Sequence, residues 1–231
     1  MPNAIVTGAS RGLGLALSRA LHDRGFGLVV DARGGAALER AWAGVEGVVA
    51  LEGDVDDPWH RSALSVAAGD RVDVLVNNAS LLGPSPQPAL RDYPLDELRR
   101  VYEVNAVAPL ALVQAVRPKL APRAVIVNVT SDAAEEPYAG WGGYGSSKAA
   151  LEQWTRILAA EQPDWRVYAV DPGDMRTQMH QDAFPGEDIS DRSPPEVSVP
   201  GLLALIEGEL PSGRYRASEV ALPAEGRQVA R

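Results

Sequence analysis

The chain has 231 residues, 45% of them hydrophobic, enough to bury one large α/β core. Its 22 basic and 31 acidic residues give a net charge of −9 with no basic block of five or more, so neither nucleic acid nor an anionic membrane has an electrostatic footprint here. There are no cysteines and only three scattered histidines, His22, His60 and His180, which argues against disulfide scaffolds, thiolate nucleophiles and a metal centre.

Short β-branched runs alternate with Ala/Leu/Arg-rich stretches of helical spacing. "AIVTG" precedes a helix over Leu13 to Arg24, "GLVVD" one over Ala36 to Ala43, and "GVVALEGD" one over Asp57 to Ala68. The order continues with "VDVLVNN", a long helix over Leu95 to Val116, "AVIVNVTS", a helix over Tyr144 to Ala160, and "WRVYAVDPG". Nearly continuous apolar strands alternating with helices predict a parallel sheet covered on both faces. The expected fold is a single-domain, doubly wound α/β sheet of Rossmann type spanning 1–231, with no linker to a second domain. The stretch from 173 to 199, rich in Pro, Asp, Glu and Ser, reads as a surface excursion before a short helix near Pro200 to Glu209 and a last strand near Gly213 to Ala217.

In such sheets ligands sit beyond the carboxyl ends of the strands. After the first strand, "TGASRGLG" places Gly8, Gly12 and Gly14 before a helix, where the backbone turns tightly and approaches a pyrophosphate that the helix amides meet. Ser10 adds a hydroxyl. A tight turn alone would also need these glycines, but the position on the first strand favours a dinucleotide. After the second strand, Asp31 suits a ribose 2′-hydroxyl and Arg33 a 2′-phosphate, and Asp31 has an inward, ion-paired alternative. Arg11, inside the phosphate loop, tips the reading to NADP(H) over NAD(H). After the third, Asp54 is placed to accept from an adenine amino group with Val55 against the ring, while Asp56 or Asp57 caps the next helix. After the fourth, Asn77 and Asn78 satisfy neighbouring backbone groups and Ala79 leaves room for a flat ring. Asn105 is a poor mid-helix residue that kinks its helix or binds water. Ser131 ends the fifth strand, and Tyr144 and Lys148 share one face of the following helix.

Taken together, "TGASRGLG", "GDV", "NNA", Asn105, Ser131, "YGSSK" and "DPGDMRT" resemble the short-chain dehydrogenase/reductases over nearly the whole chain. The resemblance implies a catalytic tetrad of Asn105, Ser131, Tyr144 and Lys148, in which Tyr144 exchanges the proton, Ser131 orients the substrate oxygen, Lys148 holds the nicotinamide ribose and Asn105 holds a water. It also implies cofactor contacts from Gly8, Ser10, Arg11, Gly12, Leu13, Gly14, Asn77, Asn78, Ala79, Pro172, Gly173, Met175 and Thr177. Arg33, following Ala32 where NAD-using members carry aspartate, matches the NADP-using pattern. An adjacent ammonium is expected to lower the Tyr144 phenol from its ordinary value of about 10. Met175, Met179 and Phe184 are expected on the substrate side with Trp141 opposite. His180 and Tyr138 are not assigned chemistry.

Two departures stand out. "NNAS" replaces the usual "NNAG", and the chain is short for the family, its last strand running into "EVALPAEGRQVAR" where the usual C-terminal interface lies. The leading expectation is hydride exchange between NADP(H) and a small carbonyl or alcohol, and the alternative is a silent NADP(H)-binding scaffold. No apolar run reaches the roughly 18 residues of a membrane span, and the start lacks a signal pattern. A cytoplasmic homodimer or homotetramer, paired through the two long helices, is expected.

Overall fold

The computed structural model describes residues 1–220. Strands β1 (Asn3–Val6), β2 (Gly27–Ala32), β3 (Val48–Glu52), β4 (Val72–Asn77), β5 (Leu120–Val129), β6 (Arg166–Asp171) and β7 (Gly213–Arg216) form one sheet in the order β3-β2-β1-β4-β5-β6-β7. Every pairing is parallel, so each connection must return across a face of the sheet. The returns are α1 (Gly12–His22), α2 (Gly35–Trp42), α3 (Pro58–Ala67), α4 (Leu95–Tyr102) with α5 (Ala108–Val116), α6 (Gly142–Glu161), and α7 (Gln178–Ala183) with α8 (Val199–Glu207).

The period of two along each strand divides the core. Val6, Val30, Val76 and Val127 pack on one face with Leu17 and Leu21 of α1 and Leu202 of α8. Ile5, Val29, Leu75 and Ile126 pack on the other with Leu64 of α3 and Leu112 and Val116 of α5. Each such side chain contributes roughly 2 kcal/mol by leaving water. Both faces are therefore covered, as the doubly wound reading requires.

The helix expected over Leu95 to Val116 is interrupted by a π-helical turn, Glu103–Val107, that contains Asn105. Pro109, in the first turn of α5, has no N–H to give the carbonyl four residues back, which relaxes the ladder at that point. The 173–199 excursion is more ordered than expected, since it carries α7 and a single 3₁₀ turn, Pro195–Val197. Of "EVALPAEGRQVAR", only Glu219 and Val220 lie within the described residues.

Candidate active site

The strand order turns between β1 and β4, and a cleft of about 1230 Å³ opens over the carboxyl ends of the strands at that point. Gly8 and Gly12 adopt φ of +70° and +58°, a region that side chains disfavour. Gly14 is demanded by space, because a Cβ there would stand 2.4 Å from the Gly8 carbonyl oxygen and 2.5 Å from Asn78 Nδ2. The N-cap of α1 is Arg11, which makes no side-chain cap, so the first amides of the helix meet no capping side chain. Thr7 Oγ1 accepts the Asn78 and Ala79 amides at 3.0 Å each, and Asn78 Nδ2 donates to the Thr7 carbonyl at 2.8 Å. This binds the β4 end to the glycine loop. A close-approach backbone at an uncapped helix start fits the pyrophosphate of a dinucleotide.

Ser10, Arg11, Leu13, Arg33, Asp54, Val55 and Ala79 line this half of the cleft. Asp31 takes its inward alternative: Oδ1 accepts the Gly8 amide at 2.7 Å, Oδ2 lies 2.9 Å from His60 Nε2, and the residue is 1% exposed. Burial raises its pKa above the usual carboxylate value, against the pull of His60 and the Gly8 amide. Arg33 is half exposed, with Nη1 3.8 Å from Asp54 Oδ2, and Arg100 Nη2 lies at 3.8 Å from the same oxygen. Asp57 caps α3 by accepting the Trp59 amide at 2.9 Å, so the cap and cleft roles fall on different aspartates. Asn77 is a correction. It is buried in β4 and donates from Nδ2 to Asn128 Oδ1 at 2.8 Å, away from the cleft, because a strand residue alternates with Asn78 in direction.

Ser131, Tyr144 and Lys148 meet at the other end of the cleft. Tyr144 and Lys148 are both buried on α6, with Lys148 Nζ 5.6 Å from the Tyr144 ring centroid. Lys148 Nζ donates to the Val129 carbonyl at 2.8 Å, which leaves two of its three N–H groups unassigned. The expected lowering of the phenol is overturned. Burial pushes Tyr144 up to about 12, opposed by the Ser80 and Ser131 hydroxyls and reinforced by Asp171 and Asp132. Burial pushes Lys148 down to about 7, opposed by the Glu152 carboxylate. Desolvation penalises both charged forms and is the largest cause of each shift.

Asn105 also differs from expectation. Its Oδ1 accepts the Leu81 amide at 2.7 Å and the Ser80 hydroxyl at 3.1 Å, while Nδ2 donates to the Leu81 carbonyl at 2.8 Å and Ser147 Oγ at 3.0 Å. All four side-chain positions are filled, so the amide clamps the Ser80 segment to α6 and has none left for water. Ser80 itself, beside the Tyr144 phenol, was missed as a site residue. Its signal was the serine in "NNAS".

After β6, Gly173 turns with φ of +75° and its amide donates to Asp171 Oδ1 at 2.9 Å. Pro172, Met175 and Thr177 line the cleft, and Thr177 Oγ1 accepts the His180 amide at 3.2 Å as the cap of α7. The expected substrate wall divides. Met179 packs with Trp141, Leu82 and Tyr144, whereas Met175 packs on the sheet core with α1 and α8. Phe184 packs against Trp141 with its ring tilted 47°, centroids 5.7 Å apart, outside the cleft lining. His180 lies on Phe184 at 4.9 Å, and the Tyr138 hydroxyl donates to Asp132 Oδ2 at 2.9 Å. Among the described residues no group of His, Cys, Asp or Glu is placed to hold a metal, and no helix is long and apolar enough to cross a membrane.

The family profile described as short chain dehydrogenase matches residues 2–188. A 1-deoxy-11-beta-hydroxypentalenate dehydrogenase of Streptomyces arenae is 38% identical over 192 residues, 76% of this chain and 68% of the relative. A benzil reductase ((S)-benzoin forming) of Bacillus subtilis is 32% identical over 191 residues, 76% of this chain and 75% of the relative. Among solved structures, a short chain dehydrogenase from Shigella flexneri complexed with NADP superposes with a TM-score of 0.83 at 26% identity, covering 94% of this chain and 96% of that one.

Proposed function

The chain belongs to the short chain dehydrogenase family, an oxidoreductase family, and from that premise we propose that it is an NADP(H)-dependent reductase of carbonyl groups with Tyr144 as the proton donor. The observation that carries the proposal is the convergence of Ser131, Tyr144 and Lys148 on one end of a cleft whose other end is a glycine cradle flanked by Arg11 and Arg33. A bound nicotinamide would exchange the hydride with the substrate carbon. Tyr144, held near 12, is fully protonated at neutral pH and can protonate the oxygen that becomes an alkoxide. The Ser131 hydroxyl orients that oxygen. Lys148 would hold the nicotinamide ribose with the N–H groups not given to Val129. At neutral pH the phenol is in the protonated form that reduction requires, and alcohol oxidation would use the phenolate.

The 2′-phosphate preference rests on charge and on availability. Both Asp31 oxygens are already engaged, by the Gly8 amide and by His60, so the carboxylate that would suit a ribose diol is occupied. Arg33 is exposed at the cleft, and among the described residues its carboxylate partner is Asp54 at 3.8 Å. Trp141 and Met179 beside Tyr144 suit a carbonyl with an apolar flank. Titrating the protein with NADPH and NADH, for wild type and Arg33→Ala, tests the cofactor reading. Tighter NADPH binding that Arg33→Ala weakens about tenfold or more is expected from loss of a charge-assisted phosphate contact. Equal affinity for the two cofactors contradicts it. We also propose a homodimer or homotetramer paired through 95–116 and 142–161, supported by the exposure of Leu95, Val107 and Ile157 on those helices.

A further inference from the structure

We propose that Arg214, on the last strand, is a positioning residue of the active site: it balances the buried Glu152 carboxylate and fixes the ends of β5 and β6 that carry Ser131 and Gly173. The catalytic consequence rests on the reductase reading above; the electrostatic part does not.

Arg214 Nε donates to Glu152 Oε1 at 3.0 Å, and Nη2 donates to the Ser131 carbonyl at 3.4 Å. The same Nη2 lies 3.0 Å from Glu135 Oε2 and 3.6 Å from Asp171 Oδ2. Glu152 is 3% exposed and sits one turn after Lys148 on α6. Its Oε1 also accepts the Thr130 hydroxyl at 2.8 Å, and its Oε2 pairs with Arg156 Nη2 at 3.1 Å. Three successive residues are therefore held one by one: Lys148 bonds the Val129 carbonyl, Glu152 the Thr130 hydroxyl and Arg214 the Ser131 carbonyl. Asp171, paired loosely with Arg214, in turn holds the Gly173 amide. One guanidinium thus joins the strand end bearing the hydroxyl, the helix bearing the phenol and ammonium, and the turn over the cleft. A carboxylate this deeply buried must be balanced, and Arg214 is 15% exposed, far from a solvated surface charge.

The groups facing this centre are Tyr144, Glu152 and Arg156 from α6, Asp132 and Glu135 from the loop after β5, Asp171 from β6, and Arg214 and Arg216 from β7. Glu152 favours the charged form of Lys148, and Arg214 offsets Glu152. Glu152→Gln and Arg214→Met must therefore move the Lys148 titration in opposite directions. Loss of a merely structural contact gives no such antisymmetry.

The sequence makes the test clean, because it contains two lysines, Lys119 and Lys148. Labelling with [13Cε]lysine gives two resonances, and Lys119→Arg assigns them. The expected result is a Lys148 midpoint that falls in Glu152→Gln, rises in Arg214→Met and returns toward wild type in Arg214→Lys. Midpoints that stay fixed, or move together, overturn the proposal; if Arg214→Met does not fold, an unmoved Glu152→Gln midpoint overturns it alone. In NADPH-dependent carbonyl reduction well below both midpoints, Arg214→Met should lose between roughly tenfold and a hundredfold in kcat through misplacement of Ser131, and an unchanged kcat overturns the positioning role. Shifted midpoints in a protein that reduces no carbonyl would uphold the charge balance and refute the reductase reading.

Discussion

Tyr144 and Lys148 stand four residues apart on α6, and burial drives them in opposite directions, the phenol to about 12 and the ammonium to about 7. Each shift has a consequence for stability. Lys148 binds fewer protons folded than unfolded between about 7 and its ordinary 10.5, so its contribution to stability rises with pH across that window. Tyr144 keeps its proton in the folded chain between 10 and about 12, so its contribution is present below 10 and is lost as pH climbs through that window. Urea midpoints measured against pH for wild type and Lys148→Met should show the lower slope only in wild type, and equal slopes would contradict the buried ammonium. Gly14→Ala should cost roughly 1 to 3 kcal/mol in chemical denaturation, because its Cβ meets backbone on one side; an undiminished stability would refute that contact. At this scale the sequence was legible where the signal is local, as for the glycine loop and the Tyr-x-x-x-Lys spacing. It was not legible for Asp31 with His60, or Arg214 with Glu152, whose partners lie 29 and 62 residues apart in the chain.

The elements explain why some residues do other work than their type suggests. Asn105 sits in a π-helical turn that brings its amide to both Leu81 and Ser147, and Ser147 Oγ in turn donates to the Tyr144 carbonyl at 2.6 Å. The poor helix propensity of asparagine marked the position, but its partners come from two other segments. The 173–199 segment read as an irregular excursion because its periodicity is short, yet Thr177 caps α7 and aligns Met179 with Trp141. The Trp141 wall gives a prediction at this scale. Trp141→Ala should change relative kcat/KM across carbonyl substrates of different bulk while moving Tm less than a core truncation would, because Trp141 is only partly buried. An unchanged substrate order would remove Trp141 from the pocket.

For the whole molecule, the sheet and its doubly wound topology followed from alternating apolar strands and helices, since parallel strands require crossovers and crossovers cover both faces. The cleft then lies where the strand order turns, which the order of elements already implied. Assembly was not legible in this way, because two partly exposed helices serve equally as solvated faces. Sedimentation at micromolar concentration should give a mass of two or four chains, and a monomer would contradict pairing through 95–116 and 142–161. The most direct test of this chemistry is NADPH consumption with a panel of carbonyl compounds by wild type and Tyr144→Phe, with NADPH affinity measured alongside. Turnover is expected in wild type, with a loss of about 10² to 10⁴ in kcat in the variant and cofactor affinity retained. Full activity in Tyr144→Phe, or no carbonyl-dependent NADPH consumption by a wild type that binds NADPH, would contradict it.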